Sequence, residues 1–195
     1  MTFSPELPVD RQFISLQELK AMGFSLYRVG KLVENGFLVR LNRRMYRITE
    51  YAGEESDFCL VSAYIPDGVV CLLSAASYHN LTTYIPDSIN VAIPRKARVS
   101  TKPEWPRVTV SYFTEDRYTL GISEVTEGKN RFKVYDAEKT VTDIVFYREK
   151  VGIEETREIL TTYLRMKNRN LNRLLEYAER LKCEEIMRQY LEVLV

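Results

Sequence analysis

Histidine, tryptophan and cysteine are scarce in this chain, at one, one and three among 195 residues. The cysteines are odd in number and scattered at Cys59, Cys71 and Cys183, which points to small buried hydrophobes and away from a disulfide framework. A zinc site would need all three thiols and His79 to converge. No apolar run approaches the roughly 20 residues that span a bilayer. The start carries Pro5, Glu6 and Pro8 where a signal peptide needs basic residues and an apolar core. A cytoplasmic location with no membrane contact is therefore expected. Internal repeats and low-complexity tracts are also missing. At 45% apolar residues the chain can build a core, and its length holds one large or two small domains.

The most legible stretch is Ser15 to Ile48. Ser15 is placed to cap a first helix with Leu16, Leu19 and Met22 as its apolar positions. Gly23 suits a tight turn, because it tolerates the positive φ that other residues resist. Ser25 caps a second helix running to about Asn35, with Leu26, Val29, Leu32 and Val33 forming one apolar stripe. Tyr27, Arg28 and Lys31 fall off that stripe, and Gly36 ends the helix. Residues 37–41 read as a strand, Asn42-Arg43-Arg44 as a turn and residues 45–48 as the returning strand. Two helices around a turn followed by a basic hairpin is the order of a winged helix-turn-helix. Such a module usually has a helix ahead of these two, and residues 1–14 show little helical pattern. Either that helix is shortened or later residues supply its packing.

Charge is uneven. Residues 11–48 hold eight Lys/Arg against two Glu, or +6, while the whole chain carries only +1. A basic module on a mildly acidic remainder fits local phosphate contact rather than general adhesion. Arg28 is the candidate for reading a guanine edge, since guanidinium can bond it at two points. Lys31, Arg40, Arg43, Arg44 and Arg47 are candidate phosphate clamps, and Tyr27 and Tyr46 can donate to phosphate. With Ser25 at the helix start, residues 25, 27, 28, 31, 40, 43, 44 and 47 make up the candidate DNA-binding set. Arg95, Lys96 and Arg98 form a second basic patch, readable as a phosphate contact, a docking patch or a solvated loop.

Beyond the hairpin, helices are expected near 54–65 and 71–81, and strands at 89–93, 108–113, 121–125 and 132–135. Helical pattern then fills about 137–148, 153–166, 170–181 and 183–194. The expected class is α+β: an N-terminal winged helix-turn-helix over residues 1–50, then a small mixed sheet flanked by helices with a C-terminal helical bundle over 51–195.

Catalytic patterns are thin. Asp116, Glu127 and Lys129 have the spacing of a magnesium-dependent nuclease, but a turn at Gly128 is the wrong context for it. Asp136, Glu138, Lys139 and Asp143 sit at a helix start, where capping by Asp136 is favoured over catalysis and Glu138 suits the positive end of the helix. His79 near Ser74 and Ser77 lacks the third group and oxyanion hole of a hydrolase, and reads as a structural histidine. No catalytic residue, cofactor or metal is expected.

Residues 23–48 resemble the N-terminal module of AbiEi-type antitoxins, from type IV abortive-infection toxin–antitoxin systems of bacteria and archaea. The resemblance continues through 71–82 (CLLSAASYHNLT), 91–95 (VAIPR), 134–144 (VYDAEKTVTDI) and the closing helices, covering most of the chain from about residue 13. It departs at residues 1–14 and at Asn42-Arg43-Arg44-Met45, where the family's wing often carries glycine. The resemblance implies a transcriptional autorepressor that binds double-stranded DNA at its own operon promoter. It also implies a nucleotidyltransferase-type toxin as functional partner, with antitoxicity in the second domain. A protein-interaction module without DNA binding, or a nuclease, is the alternative. Oligomeric state is open.

Overall fold

The computed structural model describes residues 7–54 and 56–194. The proline pattern at residues 5–6 lies outside them. The chain divides into two compact units, the first made of residues 1–66, 99–106 and 125–132, the second of the remainder. The architecture is mixed α+β, with ten helices and two sheets among the described residues.

In the first unit, strand β1 (Phe13–Ser15) runs into helix α1 (Leu16–Ala21). Helix α2 (Leu26–Glu34) is followed by strands β2 (Leu38–Arg40) and β3 (Met45–Ile48). Strand β3 is central, antiparallel to both neighbours, with Ile14 opposite Tyr46 and Leu38 opposite Ile48. Its alternation puts Tyr46 and Ile48 in the core and Met45 and Arg47 on the other face. Ile14, Leu19, Phe24, Val29, Leu32 and Leu38 complete that core. Strand β1 was not anticipated, because three residues are too few to show a period. Helix α3 (Asp57–Tyr64), capped by Ser56, packs on β3. Among the described residues ahead of α1, residues 7–14 hold the start of β1 and no helix, and Ile14 from that stretch lies in the core.

Glycine is required at two points here. Gly23 at φ +86° and Gly36 at φ +78° leave α1 and α2 in the left-handed region. The β2–β3 turn needs none. The Asn42 side-chain carbonyl accepts from the amides of Arg44 (2.8 Å) and Met45 (2.9 Å), while its amide donates to the Ala63 carbonyl (3.0 Å).

The second unit holds strand β4 (Val69–Val70), helix α4 (Leu72–Tyr78) and strands β5 (Ile89–Pro94) and β6 (Val108–Phe113). Helix α5 (Glu115–Thr119) precedes the hairpin of β7 (Ile122–Glu127) and β8 (Asn130–Tyr135), of which residues 122–124 and 133–135 belong to the second unit and 125–132 to the first. The sheet order is β6-β5-β4-β8-β7, mixed in direction: β4 is antiparallel to β5 and parallel to β8, and β5 is parallel to β6. Helices α6 (Ala137–Phe146), α7 (Arg148–Val151), α8 (Ile153–Arg165), α9 (Leu171–Arg180) and α10 (Glu184–Leu194) complete the unit. Every residue of α6 from Glu138 to Val145 is buried, with α4, α8, α9 and α10 packed around it. Strand β4 and helix α5 escaped sequence reading, being two and five residues long.

Candidate nucleic-acid interface

Ser25 accepts a hydrogen bond from the Arg28 amide (3.3 Å) and so starts α2. Phe24 before the cap and Val29 after it both sit in the core, which is the arrangement of a hydrophobic staple. That staple corrects the expected stripe. Val29 and Leu32 are 2% and 5% exposed, but Leu26 is 62% exposed. Phe24 already fills the core position that Leu26 would take from the first turn. Met22, expected to face inward from α1, is exposed too, because it lies beyond the last helical residue.

The solvent face of α2 carries Tyr27, 74% exposed, with Arg28 and Lys31. The Arg28 guanidinium lies 4.9 Å from the Phe24 ring centre and the Lys31 ammonium 5.9 Å from that of Tyr27. Lys31 also pairs with Glu34 at 2.6 Å. Both partners are exposed, so the pair is worth about 0–1 kcal/mol and yields readily to a phosphate. No acidic residue stands in the first turn of α2, where one would suit the helix dipole, and Arg28 occupies it instead. A cation there opposes the dipole and favours an anion outside the helix.

Arg43 and Arg44 are exposed at the β2–β3 turn. Arg40 is exposed at the end of β2, its Nε donating to the Asn42 carbonyl (3.2 Å). Arg47 stands apart from these: it is half-buried in the central strand between Phe13 and Val39. Tyr46 is buried in the core and cannot reach a phosphate. Residues 25, 27, 28, 31, 40, 43, 44 and 47 all belong to the first unit, six of them cationic, and all but Arg47 are exposed. Arg95, Lys96 and Arg98 are exposed on a turn after β5 in the second unit.

The other candidates take structural places. His79 Nε2 lies 2.7 Å from the Tyr135 carbonyl and so donates to it. Asp136 caps α6, accepting from the Lys139 amide (2.7 Å) and from the Tyr177 hydroxyl (3.0 Å). Burial raises its carboxyl above the ordinary value despite both bonds. Lys129 lies in the β7–β8 turn and pairs with Asp10, and Glu127 accepts from the Cys59 thiol (3.6 Å). Among the described residues no group of three or more His, Cys, Asp or Glu is placed to hold a metal. The three cysteines are free and buried. Burial pushes the thiols of Cys59 and Cys183 up to about 11, and that of Cys71 well above its usual range. A cavity of about 600 Å³ in the first unit is lined by Arg11, Glu18, Met45, Cys59 and Lys129 among others. Its Arg11 and Lys129 are already paired with Glu18 and Asp10.

In the second unit, sequence reading placed Lys139 and Asp143 at a helix start but missed their burial and their partner Arg117. Asp143, fully buried, takes Arg117 on one carboxylate oxygen (2.5 Å) and Lys139 on the other. Arg117 stacks 3.8 Å from the Phe146 ring centre, and Lys139 lies 4.1 Å from that of Tyr135. Lys139 and Asp143 are four apart on a helix, a spacing that also pairs charges on solvated faces. Only the remote Arg117 and the burial of all sides of α6 distinguish them.

Among known proteins, no family model matches this chain, and no curated protein matches it.

No helix among the described residues is long and apolar enough to cross a membrane.

Proposed function

We propose that this chain is a DNA-binding transcriptional autorepressor and antitoxin of a type IV toxin–antitoxin system. The observation that carries the DNA-binding part is the division of α2, with Val29 and Leu32 in the core and Tyr27, Arg28 and Lys31 in solvent. The exposed Arg43 and Arg44 lie on the adjoining hairpin of the same unit. In this reading α1 and α2 form the helix-turn-helix, and β2 and β3 form the wing. Helix α2 enters the major groove, Arg28 bonds a guanine edge, and the turn residues grip phosphates. Lys31, Arg40 and Arg47 add phosphate contacts. The protein acts by occupying the promoter, without catalysis. The antitoxin part rests on the family resemblance: the second unit counters a nucleotidyltransferase-type toxin encoded beside it, with residues 95, 96 and 98 as its basic surface.

The test is titration of labelled DNA from upstream of the reading frame, against scrambled DNA, at several salt concentrations. Arg28→Ala narrows the gap between the two sequences. Arg43→Ala/Arg44→Ala weakens both alike. Salt-independent or absent binding by the wild type overturns the DNA-binding reading and leaves a protein-docking module. Co-expression with the adjacent reading frame tests the antitoxin half: growth arrest by the neighbour must be relieved by this chain.

A further inference from the structure

Phosphate contact can engage the Tyr27 hydroxyl but leaves the apolar surface at the tip of α2 unexplained. Leu26 and Tyr27 occupy the first two helical positions and Met22 precedes them in the turn, all three exposed. A first turn ordinarily favours small polar or acidic residues, which cap the free amides or suit the dipole. Here Ser25 and Phe24 already make the cap and the staple, so Leu26 and Tyr27 have no packing task. What they would meet is set by their neighbours. They adjoin Arg28 and Lys31, within the segment of charge +6, so the complementary surface is a polyanion. When such a helix docks in a major groove, its N-terminal residues are the ones that reach base edges. Among the groups at that edge one is apolar, the C5-methyl of thymine.

We propose that Leu26 and Tyr27 read thymine methyl groups, so that the bound site is defined by thymines beside the guanine contacted by Arg28. This rests on the DNA-binding reading and names the sequence chemistry of that site. Tyr27 offers a flat ring face, with Lys31 held beside it. Leu26 offers a branched aliphatic end. Burying a methyl group is worth about fourfold in affinity, from the usual free energy of one buried carbon.

The experiment uses the full chain and the upstream DNA fragment made in two forms, with thymidine or with deoxyuridine throughout. Base pairing is unchanged and only the methyl groups are lost. Binding is read by fluorescence anisotropy at low salt, where phosphate contacts keep weak complexes measurable. The wild type should bind the thymine form at least fourfold more tightly. The Leu26→Ala/Tyr27→Ala variant should bind both forms equally, with the circular dichroism of the wild type. Equal binding of both forms by the wild type overturns the inference and leaves DNA binding intact. So does a thymine preference that the variant retains, because the methyl is then sensed elsewhere or through duplex shape. Failure of the wild type to bind either form overturns both proposals. A dimer that the variant converts to monomer also overturns the inference, by assigning the tip to self-association.

Discussion

Two cations, Arg117 and Lys139, converge on the one carboxylate of Asp143 inside the second unit. Removing charge from water costs several kcal/mol per ion, and the pairing repays that only while every partner stays in place. Asp143→Ala leaves two unpaired buried cations and should cost about 3–5 kcal/mol in urea unfolding. Lys139→Met leaves Arg117 paired and should cost less. A related asymmetry governs alkaline pH. The folded chain holds protons on Cys59 and Cys183 up to about pH 11, because burial opposes their thiolates. The unfolded chain releases those protons from about pH 8.5 upward. Their contribution is therefore complete below that range and is lost as pH climbs towards 11. Unfolding free energy should fall over that interval, and Cys183→Ala should flatten the fall. Lys139 acts in the opposite sense, since burial lowers its ammonium below the ordinary value. On the surface, Arg28 opposes the α2 dipole but lies over the Phe24 ring, two effects of about 0.5–1 kcal/mol each. Arg28→Ala should leave the melting temperature within about 2 °C, while under the proposed DNA binding it reduces sequence preference.

Among the elements, α1 shows how much a local pattern can specify. The Ser15 hydroxyl accepts from the Glu18 amide (3.1 Å), and the Glu18 carboxylate accepts from the Ser15 amide (2.8 Å). This capping box was half legible, through Ser15 as the cap. Ser15→Ala should cost about 1 kcal/mol, or roughly 2–4 °C in a thermal melt. Burial works against ionisation of Glu18, but its bonds from Ser15 and Arg11 outweigh that and hold the carboxyl below its ordinary 4.5. The stabilisation is thus present above about pH 4.5 and lost as pH falls through the lowered value. Glu18→Gln should remove that part of the acid dependence. Helix α2 was legible in extent, from the Ser25 cap to the Gly36 stop, but not in the direction of Leu26. A period of 3.6 assigns Leu26 to the core face, whereas the staple decides which apolar residue of the first turn enters it. The β2–β3 turn was legible in position, while the reason it needs no glycine lies in the Asn42 side chain.

For the molecule as a whole, the proposed DNA binding should respond to salt as its charge distribution dictates. Each phosphate neutralised releases counterions and adds about 0.9 to the slope of log affinity against log salt. Arg43→Ala/Arg44→Ala should therefore lower that slope by about 2, measured between 50 and 200 mM salt. An unchanged slope would remove both residues from the phosphate contacts.

The α+β class, the basic segment over residues 11–48 and the approximate positions of the longer helices follow from the sequence alone, because periodicity, caps and charge are local properties. The tertiary structure decided the rest. It put Lys139 and Asp143 inside, Leu26 and Met22 outside, Tyr46 in the core and Arg47 in a central strand. Each of those outcomes depends on which distant residue occupies the adjoining space: Arg117 beside Asp143, and Ile14 across from Tyr46. Such pairings join residues tens of positions apart, and no window along the chain contains both members.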